Sequence, residues 1–192
     1  YVISYLGEII AAGVEGDVWQ GNNGAGRFLG FLDAGAGTIS TGAGIVASAA
    51  AGAYTAGTII AELQKLVTDW SASTAVNTLY KEDTYIYMNK KTYSMYISAV
   101  STLGYVNAYN MNGDYEPVFE GHKIACVPGM PDNQMVAAEK SNLFFGTDLL
   151  SDQTRITIMD MANLDGSDNM RVVARYSAGV QTGINTDIVR QS

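Results

Sequence analysis

Apolar residues recur every three to four positions through residues 1–18, where Val2, Leu6, Ile9, Ile10 and Val14 form a stripe with Glu8, Glu15 and Asp17 between them. That period predicts an α-helix. No capping residue precedes the stripe, so the helix is expected to begin upstream of Tyr1 and the start reads as a cut. A turn at 19–24 and a short apolar strand at 27–32 should follow. Residues 58–72 carry the clearest helical signal, with Thr58 as N-cap, Glu62 in the first turn, and Ile59, Leu63, Leu66, Val67 and Trp70 on one face. From Asp83 to Met88 the period drops to two: Ile86 and Met88 share one side and Tyr85 and Tyr87 the other, which predicts a strand. Asn89 then caps a helix over 90–103 that carries Tyr93, Tyr96, Ile97 and Val100 and stops at Gly104.

Residues 33–57 are rich in Gly, Ala, Ser and Thr. With little to pack, the tract predicts an extended, loosely held connection, although Ile45, Val46 and the alanines up to Ala53 would support a short helix. Asn110 to Asp114 is a turn signal. Phe119–Ile124 and Pro128–Pro131 flank a strand, and Met135, Val136 and Ala137 supply its expected partner. In the last third, SNLFFGTDLLSD (141–152) leads to RITIMDM (155–161), the turn NLDGSDN (163–169) and MRVVARYSAGVQ (170–181). Ile156 and Ile158 alternate with Arg155 and Thr157, and Val172 falls in the next strand. Ile158 and Val172 are therefore expected on the buried face of one antiparallel pair. Arg171 and Arg175, four apart, would share a face and point at a neighbouring subunit.

The order of these motifs resembles the major capsid proteins of tailed bacteriophages. The apolar Asn-Leu stretch ending in Gly-Thr-Asp (146–148), the two-strand exchange, the Arg-bearing strand and the final Asp187-Ile188-Val189 look like the close of that family. Helix, Gly-rich turn and Phe28-Leu29-Gly30-Phe31-Leu32 are similar to the junction after its long spine helix. The strand Tyr85-Ile86-Tyr87-Met88-Asn89 before a helix opening Lys90-Lys91-Thr92-Tyr93 is similar to the lobe that meets its neighbours at the centre of each pentamer or hexamer. Gly121-His122-Lys123-Ile124 followed by Val127-Pro128-Gly129-Met130-Pro131 also fits. The resemblance covers most of 1–192 and implies the α+β shell fold shared by tailed phages, herpesvirus capsid floors and encapsulins. It would have a peripheral lobe, made of the spine-helix end and an antiparallel sheet, and an axial lobe of helices around a small sheet. The implied division is 1–57 for the spine-helix end, strand and Gly/Ala-rich connection, 58–150 for the axial-type lobe, and 151–192 for the returning strands. It also implies a structural subunit of the virion capsid, assembled in the host cytoplasm from copies of itself in pentamers and hexamers. Scaffolding protein, portal and maturation protease are the further partners it suggests. An encapsulin-like compartment shell is the alternative within the same architecture. Some members of the family weld their shells by Lys-to-Asn isopeptide bonds; the extended loop that supplies the lysine lies outside this chain, so no crosslink is assigned.

Composition narrows the chemistry. Of 192 residues, 47% are apolar and 16% charged, so surface is left that an assembly partner would cover. The formal net charge of -8 repels phosphate backbones and argues against sequence-specific nucleic-acid binding. Residues 1–18 are too polar and short for a membrane span and hold no basic stretch of the kind that opens a secretory signal. Cys126 has no second cysteine to pair with and, among apolar neighbours, is expected to be buried and inert. His122 is the single histidine, which excludes Ser-His-Asp, Cys-His and multi-histidine metal sites built from this chain; an exposed loop or strand-edge position is expected. Asp148, Asp152, Asp160, Asp165 and Asp168 offer oxygen ligands, but their spacing matches no calcium loop. The segment GNNGAGRFLG (21–30) lacks the Lys-Ser/Thr of a phosphate-binding loop and reads as a turn. The tyrosines over 85–109 could stack on bases or sugars, which keeps a β-rich carbohydrate-binding or hydrolytic domain as a second alternative. Without a basic lining they read instead as core and subunit contact. No catalytic, cofactor-binding or metal-ligating residue is assigned, and no enzyme activity is expected.

Overall fold

The computed structural model describes residues 2–24, 26–50, 52–72, 83–104, 117–148, 156–161, 166, 169–174 and 177–192. It is an α+β architecture of three α-helices, a six-stranded mixed sheet and two two-stranded ribbons among those residues. The expected turn at 110–114 and most of that at 163–169 lie outside the described residues.

Helix α1 (Val2–Gln20) runs through the predicted stripe. Leu6, Ile10 and Val14 are half-buried, while Tyr5 and Ile9 stand in solvent. Only its carboxy-terminal end enters the core, through Asp17 and Trp19. The expected strand at 27–32 does not form beyond a single bridge between Asn22 and Leu29. The physical reason is the open helix end. Its last carbonyls need donors, and the Phe31 and Leu32 amides supply them, bonding to Val18 O at 2.9 Å and Trp19 O at 2.8 Å. The chain therefore folds back as a cap.

The Gly/Ala-rich tract is held more firmly than its composition predicts. Ile39 is buried and its amide donates to Phe31 O at 2.8 Å. Strand β1 (Val46–Ser48) joins the main sheet, and Tyr54 is buried in the core. Few large side chains sufficed, because the small residues let turns close tightly around Ile39, Val46 and Tyr54.

Helix α2 (Ile59–Ala72) buries Ile59, Leu63, Leu66 and Trp70 with Val67 partly covered, as its period requires. The Thr58 hydroxyl accepts from the Thr55 N–H at 3.1 Å. Strand β2 (Thr84–Met88) alternates buried and half-buried positions. Helix α3 (Lys90–Thr102) is capped by Asn89, whose side chain accepts from the Thr92 N–H at 2.7 Å. Gly104, at φ +89°, ends it in the left-handed region that glycine occupies without cost.

Strands β3 (Val118–Phe119), β4 (His122–Cys126), β5 (Met135–Glu139) and β10 (Val189–Gln191) complete the sheet, in the order β1-β10-β5-β2-β4-β3. The expected pairing of β4 with β5 is not made. Strand β2 lies between them, parallel to β4 and antiparallel to β5. Its two apolar faces suit the middle of a covered sheet. The link from Val127 to Gln134 contains Pro128, Gly129 and Pro131 and steps across β2 instead of closing a hairpin. It is pinned on α1, where Gln20 Nε2 donates to Gly129 O at 2.6 Å.

The sheet separates two apolar clusters. On one face Ile86, Met88, Ile124, Met135, Ala137 and Val189 meet α2 and α3. On the other, Val136, Ala138 and Ile188 meet Trp19, Phe31, Ile39 and Met130. This double burial explains why Met135 to Ala138 are all buried. At about 25 cal/mol per Å² of apolar surface removed from water, such a two-sided sheet is the main stabilising element of the chain.

Candidate assembly surface

An arm leaves this core. Strands β6 (Leu143–Thr147) and β9 (Ala178–Thr182) pair antiparallel, and between them in sequence β7 (Ile156–Asp160) pairs antiparallel with β8 (Met170–Ala174). The nested register makes a two-stranded ribbon with five more residues in the first connection than in the second. Its base is clamped by Asn142, whose amide donates to Ile184 O at 2.7 Å and accepts from the Ile184 N–H at 2.6 Å.

Both faces of this arm carry apolar side chains in water. Phe144 and Phe145 point to opposite faces and are 54% and 49% exposed. The Phe145 ring meets Phe28 edge-on at 6.2 Å. Ile158 pairs with Val172 in the expected register. The expected burial is not found, since they are 48% and 37% exposed, with Met170 at 76%. Two strands alone have no layer to bury them. Arg171 is exposed on β8, and Arg155 and Arg175 lie outside the described residues. On the described residues of the arm, Phe144, Phe145, Ile158, Met159, Met170 and Val172 are all exposed, more large apolar side chains on one element than scattered exposure accounts for. Alternation of apolar and polar residues gave the strands but could not show how little of the arm is covered.

The candidate chemical residues scatter. His122 is not exposed: it is 5% accessible, with Nδ1 2.8 Å from Thr84 Oγ1 and its ring 4.9 Å from that of Trp70. Strand β3 covers the edge beyond it, which converts an edge position into an interior one. Cys126, expected to be buried, is exposed at the end of β4, where the sheet's cover stops. Partial burial still pushes its thiol up, so it is held protonated. Asp148 and Asp160 sit on the arm, while Asp152, Asp165 and Asp168 lie outside the described residues. Among the described residues no group of three or more His, Cys, Asp or Glu converges on a metal-sized site.

The glycine-rich turn spends its amides internally: Gly30 N–H donates to Gly21 O at 2.8 Å and Arg27 N–H to Gly24 O at 3.1 Å. Tyr85 and Tyr87 stack at 6.0 Å on the Trp19 side of the sheet, and burial pushes the Tyr87 hydroxyl up to about 12. Tyr93 and Tyr96 pack with Phe119 at the α3 side; Tyr105 and Tyr109 lie outside the described residues. Asp132 accepts from Lys91 Nζ at 2.5 Å and Asn89 Nδ2 at 2.6 Å, and the lysine holds its carboxyl below the usual range. Sequence reading missed the buried contact in which Gln191 Nε2 donates to Glu62 Oε2 at 2.6 Å. Glu62 on the apolar side of a helix three residues after Ile59 was its one visible sign.

No protein-family model matches the chain, and no curated protein matches it in sequence. Solved structures do match in shape. The capsid of the empty GTA particle superposes with a TM-score of 0.60 at 17% identity, over 99% of this chain and 64% of that one. The capsid of the native GTA particle gives 0.56 at 12% identity, over 99% and 63%. A chain of Mycobacterium phage Che8 gives 0.53 at 14% identity, over 78% and 53%. The chain thus spans between about half and two thirds of the length of these relatives in shape. With its two-sided mixed sheet, flanking helices and projecting arm, it has the phage major capsid-type fold.

Proposed function

We propose that this chain is part of a major capsid subunit that assembles with copies of itself into an icosahedral shell around a phage genome. The observation that carries the reading is a likeness over nearly the whole chain to a capsid subunit. The exposed apolar arm fits it, because such a surface is stable in water only when a partner covers it. In this reading the chain is a component of the virion assembled in the host cytoplasm. Scaffolding protein, portal and maturation protease are its expected companions, and 1–57, 58–150 and 151–192 are its parts. Binding energy goes into subunit contacts and not into a catalytic site, and the protein turns over no ester, phosphate or glycoside.

Electron microscopy of the complete gene product expressed alone tests this. Closed shells of uniform diameter are expected. A monodisperse small oligomer at high concentration, with or without scaffolding protein, would exclude a shell subunit. Shells purified with one host protein and no nucleic acid from an infected or induced culture would favour the compartment over the virion.

A further inference from the structure

The single histidine occupies a position where a charge is poorly accommodated. His122 stands on β4, next to the sheet's edge strand β3, whose Phe119 it faces in register. Its Nδ1 meets Thr84 of β2, and its ring lies tilted at 44° against Trp70 of α2. Trp70 in turn donates from Nε1 to the Asp187 carbonyl at 3.2 Å, just before β10. One imidazole thus joins the edge hairpin to β2 and α2 and, through Trp70, to the turn that leads into β10.

Among the described residues the groups around it are mostly neutral. Strand β3 offers Val118 and Phe119, β2 offers Thr84, and α2 offers Trp70. Glu120, in the β3–β4 turn, is the acid that acts on the imidazole. Lys123 follows on β4 with its side chain on the opposite face, and Glu139 lies one strand beyond, in register with Thr84. Asp69, beside Trp70, is bonded by Lys65 at 2.7 Å, and Asp187 presents its main-chain carbonyl.

We propose that His122 is a proton-operated latch: neutral, it ties the β3–β4 edge to the α2–β2 core, and on taking a proton in mild acid it lets that edge open. The added proton gives both ring nitrogens an N–H and creates a charge with a hydroxyl at 2.8 Å beside it. The tilted indole offers some cation–π attraction, and Glu120 some Coulomb attraction. Burial outweighs the attraction of Glu120 and holds the imidazole below its ordinary 6.5. The sign follows from linkage. The unfolded chain protonates first, so this contribution to stability is complete above 6.5 and is lost as pH falls toward the folded value. The segment that yields is the edge hairpin that carries the imidazole, whose outer strand β3 is two residues long and is paired to the sheet through β4 alone.

The test uses the intact, untagged chain, in which one histidine gives an imidazole proton resonance that needs no assignment. Its NMR titration midpoint should fall below 6.5. In a Trp19→Phe background, Trp70 fluorescence should change over the same titration. Hydrogen exchange at Phe119, His122 and Ile124, corrected for intrinsic rates, should accelerate below that midpoint more than at Val136 and Ala137. His122→Phe should abolish the fluorescence step. A midpoint at or above 6.5, acceleration spread evenly over the sheet, or a fluorescence step that survives in His122→Phe overturns the latch. If His122→Phe does not fold, the titration and exchange of the unsubstituted chain decide alone.

Discussion

Gly13 and Gly30 show how one residue type can carry opposite costs. A Cβ at Gly13, on exposed α1, meets nothing within 4 Å, and a glycine inside a helix gives up about 0.5–1 kcal/mol relative to alanine. Gly13→Ala should therefore raise the urea midpoint of unfolding. A Cβ at Gly30 would sit 2.6 Å from both the Asp17 carbonyl oxygen and the Gly21 nitrogen, backbone that caps the end of α1. Gly30→Ala should lower stability by roughly 1–3 kcal/mol, as overpacking does. Equal midpoints for the two variants would contradict the cap. Legibility at this scale followed locality. Asn89 was readable as a cap because its partner is three residues away. His122 was misplaced because the residues that cover it, Trp70 and Thr84, are 52 and 38 positions away, and Cys126 because nothing in its own neighbourhood shows that it stands exposed at the end of its strand.

Among elements, α2, β2 and α3 were legible because each meets the core on a face its own period defines. The neighbours of β4 and β5 were not, since adjacency in sequence suggests a hairpin and only the apolar character of both faces of β2 places it between them. The arm strands carry the same kind of alternation as core strands, so their period could not reveal whether a second layer exists. That difference can be measured. Leu66→Ala, in the fully buried stripe of α2, should cost about 2–5 kcal/mol. Ile158→Ala, on the open ribbon, should change the stability of the isolated subunit by no more than about 0.5 kcal/mol. Denaturant melts of the two variants at subunit concentrations below assembly provide the comparison. A large loss at Ile158 would mean the arm folds onto its own subunit.

For the whole molecule, the central question is where a chain with so few charges places its unburied apolar surface. The two sides of the main sheet are closed by α2 and α3 and by the end of α1 with the 31–39 turn. Among the described residues, most of the exposed large apolar side chains lie on the arm, with Tyr5 and Ile9 on α1. The arm's base is fixed by two bonds to Asn142, so the surface is presented from a defined position. Replacing both Phe144 and Met170 by serine removes two of its most exposed apolar side chains without opening either cluster. The expected outcome is an unchanged circular dichroism spectrum, a thermal midpoint within a few degrees of the parent, and loss of assembly by light scattering and electron microscopy. Two large side chains are enough for that effect because interface energy concentrates in a few anchors, each worth about 2 kcal/mol or more. In the proposed shell, where copies repeat, the loss would be multiplied at every contact. Normal shells from the doubly substituted protein would move the assembly surface off the arm and onto α1.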